Sequence, residues 1–480
     1  MFKKIFLITL VFAMSLTLVG CKKEYVIETC EITGEADFPE NEIEYDLLSE
    51  VIYTLEGTHY SLPTRESLIE GAIEGVINSL DDPFTMYYDS DEVAEYYSHF
   101  EESYLGIGVI FKTLDDSLII KEVIEGGPAE TAGIKTGDII ASIDGVSTLD
   151  KPYAEVSELL IGYEGDEVNI GVFRTGVEDI LVITITRGIV DYPSVKYQTI
   201  ERDNELIGYI KIRMFADSTA KLFLDALSDL ESQGIDSLII DLRGDRGGRM
   251  STTTNILKWL LVYNDVPMVY NTRNHYGRTY SFYYYGALSE PKDYDIVTLV
   301  NERSASAAEI FSSAMQEHGG YTLIGTTTYG KGVGQNIIEL TEAVGDGLRV
   351  TTVRWFTAEG NWVQEIGVIP DIIQELNMYE EANTVFLSNI EVIKYDTVGE
   401  RVANIQVVLN LMGYTVRTDG YYDLATKEAV MEIQTNNSLP VTGNINSDTL
   451  VIINEALSVY QNDPLNDSQL EAALDYLTGN

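Results

Sequence analysis

The strongest constraint on the fold lies between residues 206 and 375, where short β-branched runs alternate with helical patterns. Runs of buried type stand at 238–242, 296–300 and 322–325, and helical spacing follows the first two at about 252–262 and 307–317. Such alternation is the signature of an α/β unit with parallel strands. The carboxyl ends of parallel strands share one sheet edge, and the crevice there is where open α/β sheets place their sites. Three loops therefore converge in the expected fold: 243–249, 301–306 and 326–335.

Each loop carries residues suited to chemistry. Ser306 falls where a strand turns into a helix, among free backbone N–H groups. Arg243-Gly244-Asp245-Arg246-Gly247-Gly248 offers glycine N–H groups to an oxyanion, and Gly330-Lys331-Gly332 holds the only charge of the third loop. A serine nucleophile needs a base. The four histidines, His59, His99, His275 and His318, all lie outside these loops, which disfavours a histidine triad. Lysine serves instead if burial lowers its pKa, and Gln335, four residues on, is placed to orient the amine. Spacing alone leaves the plainer alternative open, that the serines pack a helix and Gly-Lys-Gly is a turn.

Two other motifs fail on inspection. Gly325 to Lys331 fits a phosphate loop, but Gly332 replaces the magnesium-binding hydroxyl and no clear helix start follows. Ser218-Thr219-Ala220-Lys221 fits S-x-x-K, but Lys135-Thr136-Gly137 precedes it and no Ser-Asp-Asn appears. Neither H-E-x-x-H nor a cysteine cluster is present, so a metal site lacks support.

Net charge is −46, against a nucleic-acid partner, since phosphate binders need a basic face. Lys3 and Lys4 precede an apolar run from Ile5 to Val19, shorter than the ~20 residues of a spanning helix and typical of a secretory signal. It ends at Leu18-Val19-Gly20-Cys21, which resembles a bacterial lipobox. That resemblance implies a diacylated Cys21 and a mature protein anchored through its N-terminal lipid on the outer face of the cell membrane. Cys30 is then the only free thiol, so no disulfide framework is expected.

Beyond these elements the chain resembles the C-terminal processing (tail-specific) serine proteases. Gly71-Ala72-Ile73-Glu74-Gly75 through Leu80-Asp81 resembles the family's helical lead-in, and Leu105-Gly106-Ile107-Gly108 a PDZ carboxylate-binding loop. Gly127-Pro128-Ala129 to Gly133, Gly137-Asp138-Ile139-Ile140 and Ile143-Asp144-Gly145 match a PDZ core. Asp241-Leu242-Arg243 with Gly247-Gly248 resembles the oxyanion-side motif, with Asp245 and Arg246 where the family usually has Asn and often Pro. Ser304-Ala305-Ser306-Ala307-Ala308-Glu309, Gly330-Lys331-Gly332 with Gln335, and Gly367-Val368-Ile369-Pro370-Asp371 match the remaining protease motifs. Ile405-Gln406-Val407-Val408-Leu409, Asp419-Gly420-Tyr421-Tyr422 and Leu439-Pro440-Val441-Thr442-Gly443 resemble a peptidoglycan-binding helical domain.

The resemblance implies a multidomain α/β protein: an α/β serine protease core with an inserted PDZ β-sandwich-like domain, an N-terminal helical region and a small C-terminal helical domain. The expected division is signal peptide 1–20, acidic tether 21–44, helical region 45–103, PDZ domain 104–188, protease core 189–376, linker 377–397, peptidoglycan-binding-like domain 398–458 and acidic tail 459–480. It implies Ser306 as nucleophile, Lys331 as base with Gln335 beside it, Gly247 or Gly248 with Ala307 as oxyanion donors, and no metal or cofactor. The implied partners are protein substrates held by apolar C-terminal tails, peptidoglycan, and a second copy of the chain in a homodimer. The competing expectation is an inactive or partner-gated PDZ and wall-binding scaffold.

Overall fold

The computed structural model describes residues 28–33 and 45–479, apart from 99, 115–116, 149–150, 175–176, 178, 276–277, 342, 386 and 388–390. The signal segment and Cys21 lie outside the described residues. The expected parallel sheet forms. Its strands run in the order Val195–Arg202, Glu205–Ile212, Ser237–Asp241, Asp295–Val300, Thr322–Gly325 and Ile372–Ile373, with only the first pair antiparallel. Every residue of Ser237–Asp241 is buried, as expected for a strand covered on both faces.

Helices Thr219–Gln233, Met250–Leu257 and Ala307–Ser313 cover one face, where Phe223, Leu227, Ile256 and Phe311 join the main core. The other face is covered from an unexpected direction. The stretch 459–480, read above as an acidic tail, contains the helix Ser468–Thr478, and Leu470, Ala473 and Leu474 pack on Ile207, Ile239, Val297, Leu299 and Ile324. Apolar residues at i, i+3 and i+4 form the buried stripe, while Glu471 and Asp475 meet Arg202 at 2.9 Å each.

A second, antiparallel sheet orders Glu28–Thr33, Arg278–Tyr284, Val269–His275, Gly347–Thr357 and Val333–Glu339, with Met86–Tyr88 also paired to Gly347–Thr357. Part of the expected tether is therefore an edge strand, and the helical region gives one strand to the protease. The PDZ sheet orders Val109–Leu114, Ser117–Val123, Ile139–Ile143, Glu167–Phe173 and Leu181–Thr186. Ser103–Gly106 pairs antiparallel with Gly188–Asp191, so the chain enters and leaves this domain side by side.

The last domain packs helices Glu400–Leu411, Leu424–Asn436 and Ser447–Asn462 around Ile405, Leu409, Val430 and Leu450. Val385, Leu387 and Ile393 join that core, so the expected linker belongs partly to the domain. Buried Gln406 and Gln434 fix its loops through Gly420 N–H (3.0 Å) and Gly443 N–H (2.9 Å). Paired buried amides of this kind hold loop geometry at little cost.

Candidate active site

The three loops meet at the carboxyl edge of the parallel sheet, bonded to one another. Ala305 N–H donates to the Asp245 carbonyl at 2.9 Å, Ser304 Oγ to the Leu242 carbonyl at 2.8 Å, and Tyr329 N–H to the Ser304 carbonyl at 3.0 Å. The pivot is Glu309, a fully buried carboxylate. Its oxygens accept from Ser306 N–H (2.7 Å), Thr328 Oγ1 (2.6 Å), Gly330 N–H (2.6 Å) and Lys331 N–H (2.8 Å). One side chain thus clamps the serine turn to the lysine loop.

Ser306 has φ 54° and ψ −109°, a conformation that side-chain-bearing residues rarely adopt. Strain of this kind costs about 1–3 kcal/mol and persists where the surroundings impose it. Here the clamp does so, with the Ser306 carbonyl accepting from Glu309 and Ile310 N–H at 2.9 Å each. Gly247 lies against this turn with φ 103°. A Cβ there would stand 2.7 Å from Ala305 O and 2.9 Å from Ser306 Cβ, so only glycine fits.

The candidate oxyanion donors separate on hydrogen bonding. Gly247 N–H is spent on Asp245 Oδ1 at 2.7 Å. Gly248 sits in a bridge with Phe215, formed by Phe215 N–H to Gly247 O and Arg249 N–H to Phe215 O. That pairing turns Gly248 N–H away from Phe215. Neither Gly248 N–H nor Ala307 N–H donates to any acceptor among the described residues. Gly247 N–H is accordingly taken, and the candidate donors left are Gly248 and Ala307.

Lys331 is largely buried. Its carbonyl accepts from Trp355 Nε1 at 2.9 Å, and its Nζ lies 4.9 Å from the centre of the Phe84 ring. Burial lowers its pKa to about 8, helped by the Arg349 charge and opposed by Glu309 and Asp82. Gln335 does not reach the amine among the described hydrogen bonds. Its amide donates to Thr351 Oγ1 at 3.1 Å, a register shift between Gly334 and Gln335 setting Gln335 opposite Thr351. Phe84 was not foreseen. It is held by its N–H to Asp82 Oδ1 at 3.0 Å, and no periodic signal in the sequence points from residue 84 to residue 331.

In the PDZ domain, Leu105 and Gly106 pair with Ile189 and Gly188, and so close the domain neck. Ile107 and Gly108 form the turn into Val109–Leu114, an edge strand. Their carbonyls accept from Ala129 N–H (2.7 Å) and Ile124 N–H (3.0 Å). An edge strand beside such a turn is where an extended peptide adds to a sheet.

Comparison with known proteins follows the same division. The family model described as peptidase family S41 matches residues 206–374, a PDZ domain matches 119–174, a peptidoglycan binding domain matches 398–453, and an activating protease CtpB N-terminal domain matches 34–92. The carboxy-terminal processing protease CtpB of Bacillus subtilis (strain 168) is 31% identical over 92% of this chain and 90% of its own length. The carboxy-terminal processing protease CtpA of the same organism is 31% identical over 98% and 97%. A protein of Staphylococcus haemolyticus (strain JCSC1435) bearing the name "Probable CtpA-like serine protease" is 30% identical over 82% and 78%.

Proposed function

Taking as premise that the chain belongs to the carboxy-terminal processing serine proteases of peptidase family S41, we propose that it cuts envelope or secreted proteins with a Ser306–Lys331 dyad. The observation that carries this reading is the Glu309 clamp, which binds the backbone of both residues at once. Ser306 Oγ attacks the substrate carbonyl while neutral Lys331 takes the hydroxyl proton. Gly248 and Ala307 N–H groups receive the oxyanion, the contribution that usually dominates such reactions. The protonated lysine then donates to the leaving amine. Water, deprotonated by the same lysine, hydrolyses the acyl-enzyme and restores Ser306.

The PDZ domain would take the substrate's apolar C-terminus along Val109–Leu114, its carboxylate at the Ile107–Gly108 turn. Lipid at Cys21 would hold the enzyme at the outer face of the cell membrane, the C-terminal domain would bind peptidoglycan, and the helical ends would join two copies. A partner-gated form is supported by one observation: Lys331 Nζ rests over Phe84 and Gln335 faces Thr351, an arrangement that substrate or a partner would have to shift.

The test compares the chain from Lys22 onward with Ser306→Ala and Lys331→Ala on a loosely folded protein carrying an apolar or a charged C-terminal tail, with cuts read by mass spectrometry. Cutting by the intact enzyme alone, faster on the apolar tail, supports both dyad and tail recognition. Equal cutting by the variants would sink the dyad.

A further inference from the structure

Three fully buried carboxyl groups meet at the edge of the parallel sheet, and they are not equally provided for. Asp241 accepts from Arg243 Nε (3.0 Å), Arg243 Nη2 (2.7 Å) and Tyr209 Oη (2.6 Å), with Lys211 Nζ at 3.4 Å. Those partners outweigh its burial and hold its pKa below the usual carboxylate range. Glu309 has its four donors. Asp245 has no exposed surface and, among the described residues, one donor, Gly247 N–H at 2.7 Å, with no partner for its Oδ2.

The charges around Asp245 are committed elsewhere. Arg243 is divided between Asp241 and Asp467, Arg249 pairs with Asp217, Arg246 is exposed, and Lys211 faces Asp241. From the neighbouring elements, Glu309 is filled by its own donors and Lys331 lies over Phe84. Among the described residues no cation forms an ion pair with Asp245. A lone carboxylate so placed carries a desolvation cost that one N–H bond does not offset, which favours the protonated form. Burial accordingly pushes its pKa well above the usual range.

We propose that Asp245 works as a neutral carboxylic acid that holds the oxyanion turn in shape, a positioning residue of the protease. Its carbonyl oxygen takes Gly247 N–H, and its own backbone carbonyl takes Ala305 N–H at 2.9 Å, next to Ser306. With Gly247 held, Gly248 N–H stays turned toward the substrate. Loss of the proton to solvent would leave an unpaired anion two residues from Gly247, repelling the developing oxyanion.

This rests on the reading of Gly248 as an oxyanion donor, and the test separates the two. Infrared spectra of the chain from Lys22 onward and of Asp245→Asn are compared at pH 7. A protonated-carboxyl band present in the first and missing from the second is expected, and no difference overturns the proposal. That readout is independent of cleavage, whereas Ser306→Ala cutting like the intact enzyme would sink the catalytic reading alone. In the cleavage assay Asp245→Asn, a neutral isostere, keeps kcat/KM within about threefold. Asp245→Ala loses on the order of a hundredfold, as for a lost oxyanion donor, with the loss in kcat rather than KM. An Asn variant as poor as the Ala variant, or an Ala variant as good as the parent, overturns the proposal. If Asp245→Ala does not fold, the Asn variant and the infrared band decide.

Discussion

Replacing Lys331 by Met isolates what it costs this fold to keep an amine ready as a base. The lysine pKa falls from its ordinary 10.5 to about 8 in the folded chain. At about 1.4 kcal/mol per pH unit, this is a penalty of about 3 kcal/mol on the charged form. The sign follows from proton counts. Between about pH 8 and 10.5 the unfolded chain binds more protons at this site than the folded one, so stability rises with pH there. Below about pH 8 the full penalty applies, and above 10.5 it vanishes. Lys331→Met removes the site, so the variant should gain up to about 3 kcal/mol at pH 7, shrinking toward the pH-independent packing difference by pH 10.5.

The assay is urea unfolding of parent and variant at several pH values, followed by tryptophan fluorescence. Trp259, Trp355 and Trp362 are the only tryptophans in the chain, and all stand in the protease region, so the signal reports that region alone. Taking the difference between the two proteins cancels the titrating groups that do not interact with Lys331. A parent-minus-variant difference that stays flat from pH 7 to 10.5 would refute the argument that burial depresses the lysine. The same pKa leaves about a tenth of the amine neutral at pH 7 and about nine-tenths at pH 9. In the parent, kcat/KM should therefore rise severalfold over that range and level off.

Two further outcomes follow from the packing. Glu309→Gln should fail to rescue Glu309→Ala, because either amide orientation points NH2 at a backbone donor, Gly330 N–H on one side or Ser306 and Lys331 N–H on the other. Each unsatisfied buried donor costs about 1–3 kcal/mol, so both variants should lose at least about 2 kcal/mol by urea unfolding, and a neutral Gln variant would contradict the clamp. Ending the chain after Asp467 should uncover Ile207, Ile239, Val297 and Ile324 and lower the protease melting temperature by several degrees. An unchanged melting temperature would mean that the last helix does not seat there in solution.

Much of this was legible in the sequence, for identifiable reasons. Strand runs separated by helical spacing are local signals, and parallel pairing then forces loops 243–249, 301–306 and 326–335 to one edge, where Glu309 joins two of them. The partner of Gln335 was not legible, because a one-residue register shift that no composition reveals sets it opposite Thr351. Which of Gly247 and Gly248 has its N–H taken by the Asp245 side chain was not legible either, being a matter of backbone direction. The last helix shows the limit most clearly. Leu470, Ala473 and Leu474 display amphipathic spacing openly, but periodicity tells which residues share a face and not which surface receives it.

Arg243 shows how geometry separates what a motif groups together. In the sequence it stands with Asp241 and the glycines of the oxyanion turn. In the structure its guanidinium spans from Asp241 to Asp467, at 2.7 Å from Asp467 Oδ1, and Asp467 caps the last helix by accepting Leu470 N–H at 2.9 Å. The residue beside the candidate site is therefore a docking residue for the C-terminal helix, and removing it would take both guanidinium bonds from the buried Asp241 carboxylate while unseating that helix. Arg243→Lys, which keeps the charge but cannot bridge two carboxylates as a fork, should therefore lower stability more than its charge conservation suggests. Parent activity should survive in the fraction that stays folded, since the guanidinium makes no bond to Ser306, Lys331, Gly248 or Ala307.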